Sequence, residues 1–461
     1  MRFRFDRRVW QLNLPEDKTP SLPDGGIGFV SASPNKLLVS LFGGTAKYNK
    51  FKKNPYQYFN DIRNPLLRQL KYFYKSVIPD NDGFNQEMET AQNAAIAEFC
   101  AGPTRSNSIL LIEPNDCHGE ILPGLAQYLI QAGYAVDVLI TPAQHAKAPL
   151  AQYQDASLRV FVLDCKSMGK VLASEKPAAY EFLFFNSCRV YRQLGENRWP
   201  SIHEYYSQIT PSKHGLLVMG HQMEFPNMEM LQEGRIATLT DLGPDLPLKP
   251  FIVNTHFFGQ IEITGKSDLP HFIMVGSMEN YRRNCSLLHN AVRHLDEKGI
   301  RRFKITLIGR GGFGKISARL HPYFEHLGSV DYPTMYAKMA EADFFLPLLD
   351  PENPEHDRYL STGTSGSFQL IYGFQKPCLI AAKFAQKYGF NATNSIPYDT
   401  NAELALAMER AIAMSPSEYK NMQAAIGRYA EKLYAMSLHN VSSALIRLKE
   451  TYKQHSIRKD E

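Results

Sequence analysis

A chain of 461 residues exceeds what one hydrophobic core can organise, so two or three domains are expected. An apolar fraction of 44% and a charged fraction of 21% are those of an ordinary globular protein and exclude extensive disorder. The net charge of +5 is modest, and with no Lys/Arg stripe or nucleic-acid-binding motif it gives no sign of DNA or RNA as a partner.

No apolar run approaches the roughly 20 residues that a membrane-spanning helix needs. The start, Met1-Arg-Phe-Arg-Phe-Asp6, lacks the apolar centre of a secretory signal. The six cysteines are scattered without a CxxC pair, which fits a reduced, cytoplasmic protein with neither structural disulfides nor a metal site. The sequons at Asn284, Asn391 and Asn440 are then chance matches.

Residues 1–105 form an N-terminal extension, partly helical, with helices predicted over 66–77 and 87–99. Within it, Lys47, Lys50, Lys52, Lys53, Arg63, Arg68, Lys71 and Lys75 are opposed only by Asp61 and interleaved with Tyr and Phe. Basic side chains among amphipathic aromatics suit an anionic membrane surface, which would make the protein peripheral at the inner face of a membrane. The plainer reading, which comes first, is a small helical subdomain with inward aromatics and solvated lysines.

From residue 106 the texture changes. An apolar run at 109–112 reads as a buried parallel strand, 113–119 as a polar loop, and 120–132 as a helix stopped by Gly133; 134–140 is the next strand. That is one βαβ unit of a parallel sheet. Further strands are predicted at 158–163, 182–186, 215–219 and 236–239, giving a Rossmann-like lobe over 106–255. A second such lobe is predicted over 256–430, with strands at 271–275, 303–308, 344–348 and 376–381 and helices at 287–295, 335–342 and 368–374. A C-terminal helix at 431–461 is expected to pack back on the first lobe. Two doubly wound lobes leave a crevice at the carboxyl ends of their strands, where ligands bind.

The loops at those ends carry a resemblance. Met274-Val-Gly-Ser-Met-Glu-Asn-Tyr-Arg-Arg-Asn284, Thr306-Leu-Ile-Gly-Arg-Gly311 and Thr364-Ser-Gly-Ser-Phe-Gln-Leu-Ile-Tyr-Gly-Phe-Gln-Lys-Pro377 follow one another with the order and spacing of a donor-binding lobe. Over 270–400 the chain resembles the GT-B glycosyltransferases, a group that includes capsule and lipopolysaccharide sugar transferases. The resemblance implies an α/β fold of two Rossmann-like lobes facing a cleft. It also implies metal-independent transfer of a hexose-type sugar from a nucleotide-sugar donor to a hydroxyl of a glycan or lipid-linked acceptor, with no cofactor beyond the nucleotide-sugar substrate. Gly276, Ser277, Arg282, Arg283, Gly311, Tyr359, Ser365, Gly366 and Ser367 are the donor-binding candidates it points to.

Elementary chemistry agrees. A diphosphate needs positive charge and directed N–H donors, and Ser365-Gly366-Ser367 at a helix start supplies amides, hydroxyls and the positive end of the helix dipole. Arg282 and Arg283 can fork onto phosphate oxygens. One departure stands out: no glutamate occurs from Arg358 to Pro377, where many retaining members carry two, so the stereochemistry stays open.

The first lobe's opening loop, Glu113-Pro-Asn-Asp-Cys-His-Gly-Glu120, resembles that of GT-B acceptor lobes. A transferase must take a proton from the attacking hydroxyl, and His118, Glu120 and Asp116 are the candidates. His221, Glu224 and His256, also at strand ends, form a second rank. Two other readings compete. The missing glutamates leave room for a non-catalytic subunit that binds a sugar nucleotide or glycan. Gly309-Arg-Gly-Gly-Phe-Gly314 with Asp331 spells a dinucleotide fingerprint of an NAD-dependent oxidoreductase, although Pro322 spoils the helix that should follow it.

Overall fold

The computed structural model describes residues 82–187, 208–221, 228–243, 246–278, 282–312, 314 and 316–460. The basic–aromatic stretch 47–75 lies outside them.

Two parallel sheets organise these residues, each flanked by helices. In the first, β1 (Ser108–Glu113) pairs with β2 (Ala135–Ile140) on one side and β4 (Phe182–Phe185) on the other. With β3 (Leu158–Val162), β5 (Leu216–Gly220), β6 (Ile236–Thr238) and β7 (Phe251–Ile252), the order is β3-β2-β1-β4-β5-β6-β7. The second sheet repeats the plan as β10-β9-β8-β11-β12-β13, built from β8 (His271–Val275), β9 (Lys304–Ile308), β10 (Phe324–Gly328), β11 (Phe344–Phe345), β12 (Cys378–Ala381) and β13 (Ser395–Tyr398). Every pairing is parallel, as continuous apolar strands covered on both faces require. The expected class, two Rossmann-like lobes, is the observed one.

Differences from the sequence reading are local and have local causes. Helix α1 (Asp82–Ala101) starts earlier than expected, and its Phe99 is buried against the first sheet with Phe185 and Leu183. The helix expected at 120–132 is split into a 3-10 turn, Gly119–Ile121, and α2 (Leu122–Gln131), which opens on Pro123. The strand expected at 344–348 shortens to two residues because Pro347 has no N–H to give and Leu348 turns to φ 51°. Helices α3 (Cys165–Ala173) and α4 (Cys285–Glu297) are capped by Asp164 and Asn284. Helix α5 (Tyr332–Glu341) begins three residues before the expected start, since Asp331 caps it through the Thr334 amide.

The chain crosses between lobes once near 253–258, where Val253 belongs to the first core and Phe258 to the second. It returns in one helix. After α6 (Arg358–Ser361), α7 (Ser367–Phe374) and α8 (Leu404–Ala413), helix α9 runs unbroken from Pro416 to Asp460, so the break expected at 430 is absent. Its first half buries Tyr419, Met422 and Ala430 in the second lobe's core, and its second half buries Val441, Leu445 and Leu448 in the first lobe's. Ser437 and Asn440 bond the backbone at Asn254 and Ile252.

Because Leu445 is 1% exposed in a close-packed setting, Leu445→Ala should cost about 2–5 kcal/mol, read as a lowered urea midpoint. A loss below about 0.5 kcal/mol would mean that the helix does not seal that core.

Candidate functional site

The switch points of the two sheets, β1/β4 and β8/β11, place loops at the carboxyl ends of their strands. On the second lobe, β8 ends at Val275 and turns through Gly276 at φ 135°. A Cβ there would stand 3.2 Å from the Arg283 guanidinium, so the bare backbone is what lets that group lie across the turn. Arg283 Nη2 donates to Ser365 Oγ at 3.0 Å and to Ser367 Oγ at 2.5 Å, while Nη1 holds the Arg282 carbonyl at 2.7 Å. Ser367 in turn donates to the Val275 carbonyl at 3.0 Å. Arg283, Gly276, Ser365 and Ser367 thus form one unit, tying the end of β8 to the start of α7, whose first turn is preceded by Gly366.

The charge balance of that unit is lopsided. Arg283 is 4% exposed, its Nε finds no hydrogen-bond partner, and no carboxylate lies within ion-pair distance of it among the described residues. Burial, in the first place, depresses its pKa, with Tyr359 opposing. The Tyr359 phenol shows the same positive field from the other side: burial would raise it, but Arg283, Arg358 and Arg282 outweigh burial and bring it below its ordinary value. Arg358 lies over the Tyr359 ring at 4.9 Å, and its own Nε is unpaired among the described residues. Gln369, with its amide nitrogen turned toward the loop, reaches the Ser365 and Gly366 carbonyls. Ser277 adjoins Gly276, while Gly311, at φ 106°, packs its backbone against Met278 a little farther off.

On the first lobe, His118 adopts φ 64° at the end of the loop after β1 and precedes the 3-10 turn that carries Glu120. Its Nδ1 lies 3.5 Å from Glu120 Oε1, with solvent reaching 40% and 20% of the two side chains. The His221 ring stacks on His118 at 4.1 Å between centroids. Surrounding protein alone would depress the His118 pKa, but Cys117 and the Glu120 carboxylate outweigh it and hold it well above 6.5. For Glu120, burial would raise the pKa, yet His118, its own backbone amide and His221 bring it to about 2. Burial and the neighbouring imidazolium push His221 down to about 3. The resting arrangement is an imidazolium–carboxylate pair under a neutral imidazole.

The two halves meet. Tyr332, first residue of α5 on the second lobe, donates from its hydroxyl to Glu120 Oε2 at 3.2 Å, and its backbone amide bonds the Lys147 carbonyl of the first lobe at 2.9 Å. A Cβ on Gly366 would come within 2.9 Å of Glu120 Oε1. The carboxylate therefore lies directly across the cleft from the start of α7.

Other candidates fall elsewhere. Asp116 is turned to Thr141, whose hydroxyl donates to it at 3.0 Å, and its carbonyl takes the Lys147 ammonium. His256 is buried at the crossing between lobes, against Asn254, Tyr372 and Tyr434, with burial lowering its pKa to about 4; the structure does not bring it to His118. Glu224 lies outside the described residues. The glycine fingerprint leads into a 3-10 turn, Ala318–Tyr323, and not into a helix that could face a pyrophosphate, while Asp331 is used as a cap; a dinucleotide site has no frame here.

Sequence reasoning missed Tyr332, Gln144 and Glu113. Tyr332 and Gln144 sit beside Gly119, and the Gln144 amide is fully buried with neither end paired among the described residues. Nothing in local sequence marks either. Glu113, fully buried at the end of β1, has its pKa raised to about 7 by burial against the opposing bonds of Ser187, Asn186 and the Asn115 amide.

No family model and no curated protein matches the chain. Among solved structures it is similar to two-lobed GT-B glycosyltransferases. AviGT4, a glycosyltransferase involved in avilamycin A biosynthesis, shares 13% identity at a TM-score of 0.43, over 75% of this chain and 97% of that one. An E. coli structure described as trehalose-6-phosphate bound with UDP-2-fluoro glucose shares 11% at 0.43, over 73% and 99%. WaaG, a glycosyltransferase involved in lipopolysaccharide biosynthesis, shares 12% at 0.41, over 73% and 99%. Likenesses of this degree carry no functional argument, and the fold stands on its own strand order.

Removing the Glu120 charge should lower the His118 pKa, because the carboxylate favours the imidazolium. Histidine-selective NMR titration of Glu120→Gln checks this; an unmoved or raised midpoint would contradict the pairing.

Proposed function

We propose that the chain is a glycosyltransferase that binds a nucleotide-sugar donor between its lobes, the diphosphate on the second and the acceptor hydroxyl on the first. The observation that carries the reading is Arg283, a buried guanidinium with no acid partner among the described residues, forked onto the two serines that open a helix. Burying a charge without a counter-ion is costly, so the arrangement fits a ligand that brings the anion. The amides at the start of α7 and the nearby Arg282 and Arg358 suit the same oxygens.

In the step proposed, the acceptor oxygen attacks the anomeric carbon while the bond from that carbon to the diphosphate oxygen breaks, its electron pair leaving with the nucleoside diphosphate. The hydroxyl proton passes to Nε2 of neutral His118, whose Nδ1–H faces Glu120. Negative charge growing on the diphosphate meets Arg283 and the helix start, and positive charge growing on the imidazole meets Glu120, so both sets act most strongly in the transition state. Since the resting pair favours the imidazolium, turnover should rise with pH through a value above 6.5, and Glu120→Gln should move that limb to lower pH. The finer reading is a hexose moved, without metal, to a glycan or lipid-linked acceptor at a cytoplasmic membrane face. It draws on the loop resemblance and on the basic stretch 47–75.

A thermal-shift screen with UDP, GDP and CMP tests the donor class, a ligand at a hundred times its Kd adding about 2.7 kcal/mol of apparent stability. Arg283→Ala should weaken nucleoside diphosphate binding about 10–100-fold while sparing the bare nucleoside, given the strength of charge-assisted bonds. Equal losses for both would remove the phosphate role. His118→Ala should lower turnover by about 10²–10⁴ with donor affinity nearly unchanged; a large loss of affinity would place His118 in donor binding instead.

A further inference from the structure

We infer that Glu113 is the positioning residue of the His118–His221 pair, acting through Asn186 and Asn115 on the turn that presents His118. The inference rests on the reading of His118 as the base for its functional meaning, but the geometry is independent of it.

Glu113 ends β1, the central strand of the first sheet, and is fully buried without a cation within ion-pair distance among the described residues. A buried carboxylate of this kind needs its lone pairs filled. Oε1 accepts from the Asn115 amide at 2.8 Å and from the Ser187 hydroxyl, and Oε2 accepts from Asn186 Nδ2 at 2.6 Å. Each donor belongs to a loop at the cleft floor. Asn186 and Ser187 follow β4, and the Asn186 amide extends the β1–β4 ladder by donating to the Ile112 carbonyl.

From that carboxylate the ties run outward to both histidines. Asn186 Nδ2 also donates to the His118 carbonyl at 3.1 Å, and the Asn186 carbonyl lies 3.3 Å from His221 Nε2, beyond β5. Asn115 Nδ2 closes the ring on Ser187 Oγ at 2.8 Å. Two strand-end loops, after β1 and β4, are thereby gathered on the Glu113 carboxylate, and the one after β5 joins them through the Asn186 carbonyl. The turn they hold is an uncommon one for a residue other than glycine, since His118 stands at φ 64°. An apolar residue at 113 would leave the Asn115 amide, the Ser187 hydroxyl and Asn186 Nδ2 without this acceptor, and Asn186 Nδ2 is the group that also holds the His118 carbonyl.

Glu113→Gln is the direct test. The glutamine has one acceptor oxygen, so in either orientation its NH2 group faces a donor, either Asn186 Nδ2 or the Asn115 amide, and one tie on the 114–118 loop is lost. Asn186→Ala, which removes a single small amide, is the second variant and serves if the first does not fold. Histidine-selective NMR, with resonances assigned through His118→Ala and His221→Ala, reads the mutual ring-current shifts and the titration of the pair. Expected is loss of those shifts and a changed His118 titration in both variants, with far-UV dichroism retained. Wild-type shifts and titration in either folded variant would overturn the inference. If instead His118→Ala leaves turnover intact while the Glu113 variants disperse the rings, the base reading fails and the positioning stands.

Discussion

The site depends on an arginine, Arg283, that no carboxylate reaches within ion-pair distance among the described residues. Arg283 binds two serine hydroxyls and a carbonyl, all neutral acceptors, and these orient the guanidinium without neutralising it. Its burial keeps water from screening that charge, and a positive field in a low-dielectric setting is felt strongly by whatever enters. The same field bears on Tyr359, whose phenol the three arginines bring below its ordinary pKa against the opposing effect of burial. Ser365 and Ser367 therefore serve two ends: they set the guanidinium, and they open the helix whose amide dipole adds to its charge.

Placing such a group usefully requires two bodies at a fixed separation, and helix α9 provides this. A helix that contributes side chains to two cores cannot follow one lobe alone, so any opening of the cleft must bend or shift it, or move the segment near 253–258. Close backbone approaches support the junction. A Cβ on Gly373 would meet the His256 carbonyl at 2.4 Å, and one on Gly124 would meet the Thr255 backbone at 2.7 Å. His256 belongs to this junction. Its imidazole bonds Asn254 and packs between two tyrosines, which accounts for a histidine at a strand end that takes no part in the cleft.

Much of this was legible in the sequence, for reasons that also explain what was not. Strands buried on both faces announce themselves as apolar runs, and 109–112, 271–275 and 303–308 were read correctly to within a residue. Parallel order then assigns strand ends to one side, which is why Arg283 and Ser365–Ser367, 82 and 84 residues apart, could be paired on paper. The two-residue β11 was overrun because a proline and a left-handed leucine look apolar and say nothing of where a ladder stops. Tyr332 was invisible because its role depends on the approach of one lobe to the other, which no local pattern encodes. Glu113 was quoted only as part of a loop: a glutamate after an apolar run looks like the first exposed residue, and its burial follows from β4 placing Asn186 and Ser187 beside it.

The two lobes also differ in how they settle their charges, and that difference orders the site. On the first, His118 and Glu120 satisfy each other, and the Tyr332 hydroxyl adds a neutral bond. On the second, Arg283 has no carboxylate within ion-pair distance among the described residues. The start of α7 therefore meets two fields, that of the Arg283 guanidinium on its own lobe and that of the Glu120 carboxylate beside Gly366. That carboxylate also favours a proton on His118. Opposite charges thus meet across the cleft, the guanidinium and the helix start on one lobe and the His118–Glu120 loop on the other, and they arise from two strand-end loops and one helix start.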